Sequence, residues 1–137
     1  MDEIEISHAE ADARLIHDRL DAYNAQFAPP DQHERLVLVV RRDGQLAGGL
    51  TGGTYWNWLY VEIFWVDERE RGHGLGSRIL ARAEEIAMQR GCRHAHLETH
   101  DFQSLAFYQK RGYRVFGELQ DLPAGHTKYY LWKELIK

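Results

Sequence analysis

Apolar residues recur along the chain with two different periods, and the places where the period switches outline the fold. A short alternating stretch at residues 4–6 predicts a first strand. Ser7 or His8 then opens a helix whose Leu15, Ile16, Leu20, Tyr23 and Phe27 recur every 3.6 residues, so this helix is expected to lie on the core by one face. Pro29-Pro30-Asp31 reads as a loop inside one domain. Residues 36–40 form a β-branched run, Asp43-Gly44 is a tight hairpin signal, and residues 45–54 supply the returning strand. Gly48-Gly49 and Gly52-Gly53 in that strand mark bulges or a close backbone approach beside a passing substrate, although a twisted edge accounts for them equally well.

Further on, residues 58–66 predict a strand, and residues 74–90 a helix with Leu75, Ile79, Leu80, Ala83, Ile86 and Ala87 inward and Gly91 stopping it. Ala95, Leu97 and Thr99 alternate with polar residues in another strand. Asp101 is placed as N-cap of a short helix over residues 102–111, ended by Gly112. Strands at residues 113–119 and 127–132 flank a turn containing Pro123 and Gly125. The order βαβββαβαββ predicts an α/β (α+β) fold: a mixed, mostly antiparallel sheet of about six to seven strands with helices on both faces. A chain of 137 residues fits one domain, residues 1–137.

Composition narrows the function classes. Apolar residues are 44% and charged residues 28%, as in ordinary globular chains. The net charge of -4 gives no basic footprint for nucleic acid and mildly favours cationic, amine-bearing partners. The longest purely aliphatic run is residues 36–40, and Met1, Asp2 and Glu3 carry no basic leader, so a cytoplasmic protein without membrane attachment is expected. The lone Cys92 cannot form an internal disulfide and reads as a small buried filler.

The chemistry concentrates in Arg71-Gly72-His73-Gly74-Leu75-Gly76-Ser77, between a hydrophobic strand and an amphipathic helix. Unsatisfied N–H groups at a helix N-terminus, at the positive end of its dipole, suit a pyrophosphate. Arg71 adds a cation and Ser77 a hydroxyl donor, with Arg78 and Arg82 within reach of peripheral phosphate. A dinucleotide fingerprint fails because Ser77 stands where its third glycine belongs, and a P-loop fails for want of Gly-Lys-Ser/Thr.

Arg71, Gly74 and Gly76 do match RxxGxG, and Phe107-Tyr108-Gln109-Lys110-Arg111-Gly112-Tyr113 matches an aromatic-Tyr-x-Lys-x-Gly-aromatic segment; in order and spacing the two together resemble the GNAT family of N-acetyltransferases. The resemblance is strongest over residues 58–117. It implies acetyl-coenzyme A as cosubstrate, with no metal, and the amine of a small molecule or peptide as acceptor, attacking directly in a ternary complex. It also implies that the strand ending Phe64-Trp65-Val66 splays from the strand at residues 95–99 to admit pantetheine. Backbone near Trp65 and Val66 would hold the thioester and polarise its carbonyl, residues 71–77 would hold the pyrophosphate, and Tyr108 would protonate the departing thiolate. Homodimers are common in the family. Asp101 and Ser104 depart from the family's usual Asn and Ala. A non-catalytic acyl-coenzyme A-binding module is the alternative that keeps the loop without the chemistry.

For the general base the residues leave two carboxylates open. Glu62 alternates onto the face of Tyr60 and Phe64, while Glu98 belongs to the polar stripe His94, His96, Glu98 and His100. Residues two apart on a flat strand are about 7 Å apart, too wide for several to converge on a metal. Part of that stripe is therefore expected to face the acceptor, with Glu98 or His96 binding or deprotonating the amine. Tyr55, Trp56 and Trp58 either wall the acceptor pocket or pack in a core or interface.

Overall fold

A computed structural model describes residues 2–135. The chain divides into two compact units, one up to Asp31 and one from Gln32 onward.

In the first unit, α1 spans Glu10–Asn24. Ser7 sits just before it, its Oγ accepting from the Ala9 N–H at 3.2 Å and donating to Asp12 Oδ2 at 2.5 Å. Two expectations change here. Residues 4–6 form no strand, since three alternating residues with no hairpin partner cannot hold one, and Ile4 and Ile6 are exposed. The apolar stripe of α1 finds no core within its own unit: no residue of the helix is buried, and Ile16 is 72% exposed. Periodicity identifies which face of a helix is apolar, not what covers that face.

The second unit is built on six strands: β1 (Glu34–Arg42), β2 (Gln45–Tyr55), β3 (Trp58–Val66), β4 (His94–His100), β5 (Arg114–Gln120) and β6 (Thr127–Glu134). They form one sheet in the order β1-β2-β3-β4-β6-β5. Only β3 and β4 run parallel; every other neighbouring pair is antiparallel. The fold is thus mixed α/β with a mostly antiparallel sheet, as the pattern predicts. Asp43 and Gly44 both take positive φ, 53° and 79°, the mirror-image turn whose twist matches a hairpin.

Two helices complete this unit, α2 (Leu75–Gln89) and α3 (Leu105–Lys110). Leu75, Ile79, Leu80, Ala83 and Ala87 of α2 are buried with Leu36, Leu50, Leu59, Val61, Ala95, Leu97 and Leu131 of the strands in a single core cluster. Helix and sheet approach closely because Gly48 lacks a Cβ, which would stand 3.2 Å from Ile79 Cδ1. At Gly52 a Cβ would stand 2.1 Å from the Tyr60 carbonyl oxygen. The glycine pairs therefore serve close approach between neighbouring elements of the fold itself. Cys92 is buried, as expected, and burial pushes its thiol pKa up.

Candidate active site

The site begins with a bulge. β2 and β3 pair in register from Tyr55↔Trp58 to Gly52↔Val61, then slip so that Thr51 faces Ile63. Glu62 is the extra residue, and it reverses which positions of β3 look inward. Leu59 and Val61 are buried before it; after it Phe64 and Val66 pack against the core. The expectation that Glu62 shares a face with both Tyr60 and Phe64 is accordingly corrected, because strict alternation holds only on an unbulged strand.

Beyond the bulge β3 also leaves β4. Their parallel pairing runs from Trp58↔His94 to Val61↔Leu97 and stops, although β3 continues to Val66 and β4 to His100. Alternate backbone groups of β3 beyond Val61 thus face a gap instead of a strand. A cavity of about 850 Å³ occupies this opening, lined among others by Phe64, Trp65, Val66, Glu62 and Glu98.

The loop at residues 71–77 closes one end of the cavity. Gly74 is the N-cap of α2 with φ 82°, a left-handed conformation that favours glycine, and Gly72 has φ 81°. The first intrahelical bond here is Arg78 N–H to Gly74 O at 3.1 Å, so the N–H groups of Leu75, Gly76 and Ser77 precede it at the positive end of the dipole. Arg71 is anchored by its Nε, which donates to Val66 O at 3.0 Å. Arg71, Gly72, Gly74, Leu75, Gly76 and Ser77 all line the cavity. Leu75 does so by its backbone, since its side chain belongs to the core, and the His73 side chain is exposed.

Tyr108 enters from α3. It is 6% exposed, with its ring against Phe64, Phe107 and Tyr113, and it lines the same cavity. Burial pushes its pKa up to about 12, so it stays a protonated phenol at neutral pH. Asp101 does not cap α3. That helix starts after Ser104, and the Asp101 carboxylate instead accepts from the Thr127 N–H at 2.9 Å and meets His126 Nδ1 at 2.9 Å. The Thr127 N–H foremost holds its pKa below the usual carboxylate range.

The polar face of β4 reaches the cavity through Glu98. His94, His96, Glu98 and His100 are half-buried, while Ala95, Leu97 and Thr99 are fully buried on the opposite face, as the alternation predicts. Tyr60 donates to Glu98 Oε2 at 2.5 Å, and Lys128 Nζ lies 3.6 Å from Glu98 Oε1. His96 stacks on Tyr60 at 4.8 Å, and its Nε2 lies 3.0 Å from Tyr55 Oη. Trp58 stacks on His94 at 4.6 Å. Burial lowers the His96 pKa, leaving a neutral imidazole, and burial together with the Glu98 carboxylate raises the Tyr60 phenol. Glu62 is exposed, with Thr51 Oγ1 3.5 Å away.

Residues 4–113 match the sequence model of the acetyltransferase (GNAT) family. The chain belongs to that family. A blasticidin-S acetyltransferase from Streptomyces morookaense is 50% identical over 93 residues, which cover 67% of this chain and 68% of the relative. A crystal structure of an acetyltransferase from Bacillus cereus superposes with a TM-score of 0.90 at 34% identity, covering 97% of each chain. A Bacillus anthracis structure holding acetyl coenzyme A has a TM-score of 0.64 at 24% identity over 82% of this chain and 67% of that one, a likeness of fold. This GNAT protein is an acetyl-coenzyme A-dependent N-acetyltransferase.

Its cavity suits the cosubstrate on geometric grounds: helix N–H donors and Arg71 at one end match a pyrophosphate, and the unpaired edge of β3 leads away from them. Two groups at or beside the cavity escape sequence reasoning. Tyr60 is an ordinary strand aromatic until register brings it to Glu98, and Arg111 is one more basic helix residue until α3 docks beside Ser77. Among the described residues no helix is long and apolar enough to cross a membrane.

Proposed function

We propose that this acetyltransferase acetylates the amine of a small molecule by direct attack in a ternary complex, with Tyr108 as general acid and Glu98 as general base. One cavity carries both groups: Tyr108, Glu98 and the N-terminus of α2 all line it. Acetyl-coenzyme A, when bound, supplies an acyl thioester. Phe64, Trp65 and Val66 hold the pantetheine arm along the free edge of β3, and residues 71–77 hold the pyrophosphate. Tyr108 keeps its proton until a thiolate departs, because its raised pKa makes the phenol the stable form.

Glu98 takes the proton of the incoming ammonium directly or through one water. Its half-buried position and the Tyr60 hydrogen bond fix one oxygen while the carboxylate stays within the cavity. Glu62, exposed at the bulge, attracts the cationic acceptor at the mouth. The aromatic row Tyr55, Trp58 and Tyr60 gives an amine an apolar and π-rich wall. The relative's name, blasticidin-S acetyltransferase, supports an antibiotic-like acceptor. The family match spans both compact units, which supports one catalytic domain over residues 1–137.

The test is an amine screen, blasticidin S included, followed by kinetics on Glu98→Gln and Glu62→Gln. Glu98→Gln is expected to lower kcat about a hundredfold with the KM for acetyl-coenzyme A unchanged. Glu62→Gln should raise only the KM for the acceptor. The reverse pattern would transfer the base role to Glu62.

A further inference from the structure

Among the described residues two arginines line the cavity near the α2 N-terminus, and only Arg71 belongs to the loop. Arg111, at the C-terminus of α3, is the second. Its guanidinium carbon lies 4.4 Å from the Phe107 ring centroid, and the ring in turn packs over Gly76, 3.5 Å from where a Cβ would stand. Arg111 Nε donates to Ser77 Oγ at 2.9 Å, and Nη2 donates to the same oxygen.

This arrangement differs from that of five other arginines. Arg42, Arg69, Arg82, Arg90 and Arg114 each form an ion pair with a carboxylate. Among the described residues neither Arg71 nor Arg111 does so. Each is instead anchored by its Nε to a neutral oxygen, Arg71 on Val66 O and Arg111 on Ser77 Oγ. A guanidinium carries five N–H donors, so both retain terminal donors for a further acceptor. Because Ser77 Oγ accepts both Arg111 bonds, its own hydrogen points elsewhere and is available to a second acceptor. Two fixed cations, a hydroxyl and the helix N–H groups then surround one space.

We propose that Arg111 is a second phosphate anchor for the cosubstrate, gripping a coenzyme A phosphate opposite Arg71 with Ser77 presented between them. Phosphate binding at Arg111 also ties α3, which carries Tyr108, to the first turn of α2. The bound coenzyme thereby fixes the helix that delivers the proton.

Calorimetry on Arg111→Gln and Arg111→Lys, with coenzyme A and 3′-dephospho-coenzyme A at low and high salt, tests this. Gln keeps a donor for Ser77 but removes the charge. It should weaken coenzyme A about ten- to hundredfold and flatten the salt dependence of Kd, while Lys restores most of the affinity. A Gln penalty that persists with 3′-dephospho-coenzyme A assigns Arg111 to the pyrophosphate, and one that vanishes assigns it to the 3′-phosphate. Intact affinity in Arg111→Gln would overturn the proposal. So would equal losses in both variants with a lowered Tm of the unliganded protein, which would make the residue a packing element. Binding by the unaltered protein separately checks the coenzyme site itself.

Discussion

The two ends of the cavity are made of different material. At the α2 end the groups that face a ligand are largely main chain, the N–H groups of residues 75–77 set by Gly74 at φ 82°. At the β4 end they are side chains, Glu98 and Tyr108, with Tyr60 and His96 behind Glu98. A main-chain site tolerates change in almost any residue except those that shape the turn. A side-chain site depends on each identity, and most on the one that moves a proton.

Tyr108→Phe should therefore show the largest effect. It retains the packed ring and is expected to lower kcat by about 10²- to 10⁴-fold while leaving KM for acetyl-coenzyme A near its original value. In the unaltered enzyme the loss of rate from ionising this phenol should be centred near pH 12, not near the ordinary tyrosine value, because the folded pKa is raised. A kcat within threefold of the original in the variant would remove Tyr108 from the chemistry.

Next in size is Gly74→Glu, which places a non-glycine residue at positive φ and a carboxylate beside the phosphate end. Its expected signature is confined to the cosubstrate: about a hundredfold weaker acetyl-coenzyme A in calorimetry, from repulsion and about 1–2 kcal/mol of left-handed strain. Undiminished binding would show that the main-chain end is not where the coenzyme sits.

Tyr60→Phe should be the mildest. Losing one hydrogen bond to a carboxylate costs about 1.5–3 kcal/mol where it is fully expressed. About a tenfold fall in kcat/KM for the amine is expected, with cosubstrate binding untouched. An effect on cosubstrate binding instead would join the two ends that the geometry separates.

The same difference decides what was legible in the sequence. The phosphate end could be read in advance because main-chain sites are written in glycines at fixed offsets: Gly74 and Gly76 follow Arg71 at the spacing the turn requires. The alternation of β4 was equally clear, since one face of a strand inside a sheet must be apolar. What failed depended on partners far along the chain. The bulge at Glu62 is a property of the β2–β3 register, so the inward turn of Phe64 could not be deduced from β3 alone. Asp101 has the right chemistry for a helix cap, yet the Thr127 N–H at the start of β6 takes its carboxylate. The stripe on α1 is real as a pattern, and its burial was an inference that a pattern cannot support. Arg111 is 34 residues from Ser77, a pairing that no local motif announces.

The division of labour along β4 bears on how this enzyme's repertoire changes over generations. Ala95 and Leu97 are committed to the interior, while Glu98 and Thr99 line the cavity. A single nucleotide change at Glu98 alters the cavity without touching the buried Ala95 and Leu97 beside it. The cavity wall can thus be altered at one strand position while the core beside it stays as it is.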